Sequence, residues 1–214
     1  MEHDRANHRV IVVGIGPGAP DYVLPVASRI INNAAVLVGS NRALATFAKK
    51  NGQETRQIDK DIGGVLSFIA AKLAATDVVV MVSGDPGFYS LLAALKQEFP
   101  EPRIQVVPGI SSVQLAFARI GELWQDADLI SMHGRLPEDE KLSYRQGKKL
   151  GILTDQKHNP SYIANVLLTG GWPPASLVWL CAALSYPEEK VLALSLEDTV
   201  DISGFDHCVM VVRG

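Results

Sequence analysis

Apolar residues come in short bursts along this chain, separated by longer mixed stretches. The bursts Val10–Val13, Ala35–Val38, Val78–Val82, Ile104–Val107, Asp128–Ser131, Leu150–Leu153, Leu177–Cys181, Val191–Leu194 and Cys208–Val212 have the length and β-branched content of strands. Gln53–Ile58 is a weaker strand candidate. Between the bursts the period lengthens. Helices are predicted at Tyr22–Asn33, Arg42–Asn51, Val65–Ala75, Phe88–Phe99, Val113–Ile120 and Tyr162–Thr169. In one of them Val65, Phe68, Ile69 and Leu73 share a face. Strands alternating with helices predict an α/β protein with largely parallel sheets. An uninterrupted apolar strand such as Val78–Val82 fits a sheet covered on both faces.

The segment Pro108-Gly109-Ile110 breaks the pattern near mid-chain. It predicts two α/β domains, residues 1–109 and 110–214. No internal repeat or low-complexity stretch is visible.

Composition narrows the function classes. The 214 residues are 47% apolar and 20% charged, an ordinary balance for a globular chain that can bury a core. The net charge of −3, without a basic stripe, argues against nucleic acid. The two cysteines, Cys181 and Cys208, have no metal-ligand spacing, so no metal and no disulfide framework is expected. A reducing cytoplasm is the plain reading. The opening MEHDRANHRV has no signal-peptide core, and the apolar run Leu177–Leu184 is too short to cross a membrane.

The candidate chemistry sits where strands end. After the first strand comes Gly14-Ile15-Gly16-Pro17-Gly18-Ala19-Pro20. Its spacing satisfies G-x-G-x-x-A, the dinucleotide fingerprint. Pro17 and Pro20 remove backbone donors that a pyrophosphate would need, and no acidic residue follows between Tyr22 and Gln53 to hold a ribose. A dinucleotide oxidoreductase is therefore a minor alternative.

After Val78–Val82 comes Ser83-Gly84-Asp85-Pro86-Gly87-Phe88-Tyr89-Ser90. Asp85-Pro86 reads as a helix cap, or as a cap that also accepts from a ligand. Small residues at the carboxyl end of a parallel strand mark a ligand crevice. Pro108-Gly109-Ile110-Ser111-Ser112 repeats the strand-turn-helix theme, with a serine suited to capping or to ligand contact. Ser131-Met132-His133-Gly134-Arg135 and Leu153-Thr154-Asp155 are two more polar strand ends. Five such loops predict a cleft between two α/β domains.

These residues resemble the tetrapyrrole (corrin/porphyrin) methylase family, which uses S-adenosylmethionine. The matching pieces are GIGPGAPDYVLPVA, SGDPGFYS and PGISS, in order along the chain. GDPGFYS, SMHGR, LTDQKHNP and LSYPEEKV are similar to cobalamin-pathway members that methylate carbon 5 of a precorrin-7-like ring. The resemblance implies a cofactor cleft between the two domains, release of S-adenosylhomocysteine, and a homodimer. It implies cofactor contacts from Gly16 and Pro17, from Gly84, Asp85 and Phe88, from Ser111 and Ser112, and from Thr154. Ala183 and Leu184 occupy a further contact position, where Ala182-Ala183 stands in place of the usual Glu-Asn. Asp85 and His133 are the candidates for assisting proton loss. Arg42, Tyr89 and Arg135 are the candidates for the carboxylate-rimmed substrate. A carbon-15 methylase and decarboxylase is a possible partner. Alternatives are another ring position, a non-tetrapyrrole substrate, or a module that only binds the cofactor.

Overall fold

A computed structural model describes residues 8–48, 52–132, 139–205 and 207–214. The chain divides into two compact units, Met1–Ser111 and Ser112–Gly214.

The first unit carries one parallel sheet of five strands in the order β3-β2-β4-β1-β5: β1 (Val10–Gly14), β2 (Val36–Gly39), β3 (Glu54–Gln57), β4 (Val78–Val82) and β5 (Ile104–Val107). Helices α1 (Pro25–Asn33), α2 (Asn41–Phe47), α3 (Ile62–Lys72) and α4 (Leu92–Glu98) connect them. The period-2 alternation of the central strands sorts their side chains into two cores. Val10, Val12, Val36, Val38, Val78 and Val80 bury one face with Val65 and Ile69 of α3 and Leu95 of α4. Val13, Leu37, Val79 and Met81 bury the other with Ala27 and Ile31 of α1 and Ala43 of α2. All five residues of β4 are buried, which is why its sequence is uninterruptedly apolar.

The second unit carries α5 (Ser112–Ile120), β6 (Ala127–Ser131), α6 (Asp139–Leu142), β7 (Lys149–Leu153), α7 (Pro160–Thr169), β8 (Leu177–Ala182), β9 (Lys190–Ser195), α8 (Leu196–Thr199) and β10 (Cys208–Arg213). Its sheet runs β6-β7-β10-β8-β9. Only β6 and β7 pair in parallel, while β10 runs antiparallel to β7 and β8, and β9 antiparallel to β8. This corrects the expectation of largely parallel sheets. The loop 183–189 is too short for a crossover helix, so β9 must fold back along β8. One face packs Ile130, Ile152, Leu180 and Met210 against Ile163 and Leu167 of α7.

Every predicted strand forms, including the weak one at Gln53–Ile58. Helix starts move. Residues 86–91 form a turn, so α4 begins at Leu92 rather than Phe88. Pro20–Tyr22 is a short 3-10 turn, and α1 begins at Pro25. α3 begins earlier than expected because the Asp61 side chain caps it through Gly64 N–H. Among the described residues no helix is long and apolar enough to cross a membrane.

Candidate functional site

In the first unit the candidate residues gather at the carboxyl ends of β1, β2, β4 and β5. Three glycines explain the stripped sequence there. A methyl group on Gly14 would stand 2.6 Å from the Gly84 carbonyl oxygen and 2.7 Å from the Gly109 nitrogen. One on Gly109 would stand 2.3 Å from the same Gly84 oxygen. The loops after β1, β4 and β5 therefore touch backbone to backbone. Gly84, at φ +70°, donates its N–H to the Gly16 carbonyl at 2.8 Å, and Ile15 N–H reaches Val82 O at 3.0 Å.

Asp85 locks this arrangement. Its Oδ1 accepts the Gly87 N–H at 2.8 Å, and its Oδ2 accepts the Gly109 N–H at 3.0 Å. The carboxylate caps a turn, not a helix, and ties the β4 loop to the β5 loop. Each oxygen keeps a second lone pair that can face a ligand. Gly87 is exposed, whereas Gly14 is buried.

The first loop does not form a dinucleotide cradle. No helix opens at Ala19, since the 3-10 turn and Leu24 intervene before α1. Gly16 is buried and Pro17 half-buried beside the β4 loop.

Tyr89 follows with φ +50°, a conformation a bulky side chain rarely adopts. The residue is 48% exposed, and its ring stands edge-on to Phe88, centroids 4.8 Å apart. Phe88 N–H donates to Asp85 O at 3.1 Å, closing the turn that forces Tyr89 outward. Arg42 reaches the same rim. The Ser40 side chain caps α2 through Ala43 N–H, and Arg42 then extends Nη2 to Ser83 Oγ at 3.3 Å. Ser83 belongs to this rim and is absent from the sequence-derived candidates. So are Gly14 and Gly109. Their signal was present in the two glycine-bearing turns, but which glycines meet depends on sheet order.

Ser111 is buried at the end of the first unit, directly before α5 begins at Ser112.

In the second unit the described candidates beyond Ser112 follow the ends of β7 and β8, the two strands that flank β10. The Thr154 hydroxyl donates to Cys208 O at 3.0 Å and accepts the Cys208 N–H at 2.9 Å. Thr154 N–H also donates to Cys208 O, at 3.1 Å. The side chain expected to touch a cofactor is thus a clamp between β7 and β10. Next to it, Asp155 Oδ1 accepts the His158 N–H at 2.6 Å in a buried turn that leads into α7.

Ala183 follows β8 at φ +50°. An asparagine tolerates that left-handed conformation better than alanine. Ala183 therefore carries the conformation without a side chain suited to it. Leu184 is buried behind it. The loop is held by Glu189, whose carboxylate accepts Ser185 N–H at 2.7 Å and pairs with Arg119 of α5. The Arg119 guanidinium holds the Glu189 carboxyl below the usual range. Burial, with a smaller contribution from Cys208, pushes the Cys181 thiol up to about 12. His133 and Arg135 lie outside the described residues.

The chain matches the family model for Tetrapyrrole (Corrin/Porphyrin) Methylases over residues 9–199. It is 37% identical over 160 residues to a cobalt-precorrin-7 C(5)-methyltransferase of Salmonella typhimurium, covering 75% of this chain and 78% of that one. It is 30% identical over 181 residues to a decarboxylating precorrin-6Y C(5,15)-methyltransferase of Sinorhizobium sp., covering 84% of this chain and 43% of that one. The crystal structure of a cobalamin-biosynthesis precorrin-6Y methylase from Archaeoglobus fulgidus superposes with a TM-score of 0.71 at 26% identity, covering 97% of both chains.

Proposed function

Because this chain belongs to the tetrapyrrole (corrin/porphyrin) methylase family, we propose that it is an S-adenosylmethionine-dependent methyltransferase acting on carbon 5 of a (cobalt-)precorrin-7 in cobalamin biosynthesis. The observation that carries this reading is the three-glycine junction of Gly14, Gly84 and Gly109, locked by Asp85 at the strand ends of a parallel sheet. It presents backbone groups, not side chains, to a ligand, as an extended nucleoside requires. The Salmonella relative bears this reaction in its name, and the Sinorhizobium relative bears methylation at carbons 5 and 15 of precorrin-6Y.

When bound, S-adenosylmethionine supplies an activated methyl on a sulfonium. The protein then needs to align and exclude water, without a nucleophilic side chain. Gly16, Pro17, Gly84 and the Phe88 backbone would hold the cofactor in this unit. Ser111, Ser112, Thr154, Ala183 and Leu184 are proposed as its other contacts. Since the Thr154 hydroxyl and amide are committed to Cys208, its contribution is the shape of the strand end. Asp85 holds the loops in register. The proton lost from the methylated ring is assigned to Asp85 or His133.

Tyr89 and Arg42 stand on the rim where a flat, carboxylate-bearing ring would lie. Arg42 and Arg135 would receive the carboxylates through charge-assisted hydrogen bonds. The same reading places the protein in the cytoplasm, as a homodimer, with a carbon-15 methylase and decarboxylase as a partner.

Thermal unfolding with S-adenosylhomocysteine, and separately with NAD, tests it. At a hundred times its dissociation constant a ligand stabilises by about 2.7 kcal/mol. A shift with S-adenosylhomocysteine alone is expected, followed by methyl transfer to precorrin-7. A shift with NAD alone would overturn the assignment. Arg42→Ala is expected to raise KM for the ring without changing S-adenosylhomocysteine affinity.

A further inference from the structure

The turn that follows β8 holds two residues with a Cβ in the left-handed region, Ala183 at φ +50° and Ser185 at φ +74°. That conformation is costly for both. The local sequence does nothing to favour it, since residues 183–189 contain neither glycine nor asparagine. Two reverse turns follow each other there. Ala183 O accepts the Tyr186 N–H at 3.0 Å, and Tyr186 O accepts the Glu189 N–H at 3.0 Å. Strain of this kind persists where the surroundings over-determine it, and its usual place is a ligand site.

The support comes from two charged side chains. Glu189 folds back over the turn, and its Oε2 accepts the Ser185 N–H at 2.7 Å. Arg119 of α5, 70 positions away, then donates Nε to Glu189 Oε1 and Nη2 to Oε2. A guanidinium fork fixes the plane of the carboxylate as well as its charge. The two side chains are 36% and 20% exposed, and such pairs contribute little to stability by themselves. The ion pair of Arg213 with Glu122 in the same unit differs in one respect. The left-handed residue beside it is Gly121, which needs no such support.

We propose that Arg119 and Glu189 are positioning residues for the methyl donor, holding the 183–185 backbone in the shape that receives it. This deepens the reading of Ala183 and Leu184 as cofactor contacts and rests on it. Neither side chain has a polar atom, so their hydrogen bonds to a cofactor come from the main chain. The direction of those groups is set by the backbone angles that the ion pair holds. A turn already in that shape spares the cofactor the cost of ordering it.

Calorimetric titration of S-adenosylhomocysteine into the full chain is the test. Arg119→Ala and Glu189→Gln are each expected to raise the dissociation constant about tenfold or more, and Arg119→Lys, a charge without the fork, to raise it less. Ser185→Gly accepts the left-handed conformation freely, so in the Arg119→Ala background it is expected to recover part of the lost affinity. Arg213→Ala removes the other ion pair and is expected to keep the wild-type constant even where it lowers the urea midpoint equally. Circular dichroism shows that each variant is folded, and Glu189→Gln carries the test if Arg119→Ala is not. Unchanged affinity in the folded variants, an equal loss in Arg213→Ala, or no recovery with Ser185→Gly would each overturn the positioning role. In those three cases wild type still binds and the methyltransferase reading stands. Wild type that binds no S-adenosylhomocysteine would overturn both.

Discussion

The Asp85 carboxylate accepts the backbone N–H of Gly109 at 3.0 Å, across 24 positions of sequence. One side chain thereby ties together two strand-end loops whose backbones also meet at Gly84 and Gly109. Asp85→Ala leaves two backbone donors without their charged acceptor. Hydrogen bonds to charged groups contribute about 1.5–3 kcal/mol each when buried, and this group is half exposed. A loss of about 1–3 kcal/mol is expected, with Asp85→Asn recovering part of it. Urea unfolding read by circular dichroism measures both. All three tryptophans lie in the second unit, so their fluorescence reports that unit separately.

The glycines of the junction should rank by what a methyl would meet. Gly109→Ala drives carbon to 2.3 Å from a backbone oxygen, and Gly14→Ala to 2.6 Å. Backbone cannot swing aside, so each is expected to cost more than about 3 kcal/mol. At Gly87 the nearest atom is the Asp85 Oδ1 at 3.0 Å, on a side chain. Gly87→Ala is expected to lower the melting temperature by much less than either. Equal losses at all three would refute the junction.

Ala183 carries its left-handed conformation at a cost. Replacing it with Asn or Gly should stabilise the protein by about 0.5–1 kcal/mol. The check is a shift in urea midpoint with unchanged slope.

Glu189 predicts a direction for acid sensitivity. Its folded carboxyl lies below the usual value, first because Arg119 hydrogen-bonds it. Its contribution is therefore present above the ordinary carboxylate range and lost as pH falls through the lowered folded value. Arg119→Ala should reduce stability at neutral pH and flatten the acid limb of the stability profile. An unchanged acid limb would show that the pair contributes nothing there.

Cys181 should resist alkylation. With its thiol pushed up to about 12 by burial, it holds almost no thiolate at pH 8. Cys208 is buried as well. Neither is expected to react with a thiol reagent until the protein unfolds, and mass spectrometry before and after denaturation reads this directly.

The apolar rhythm determined the strands, because burial on a sheet demands a fixed side-chain period whatever surrounds it. Val78–Val82 reads as a strand covered on both faces, and Gln53–Ile58, polar and short, as a weaker candidate that the assembled sheet places at its edge. Motif order determined the family and the loops at issue. Three things waited for the tertiary structure. The helix predicted from Phe88 starts at Leu92, because Asp85 spends its carboxylate on Gly87 and Gly109 instead of capping a helix. Thr154 became a clamp, because β10 returns beside β7 from far along the chain. The glycines at 14, 84 and 109 became one junction, because the order β4-β1-β5 brings their loops together. Local sequence sets local period and turn chemistry. Which distant backbone atoms meet is set by strand order, and that is decided only when the sheet assembles.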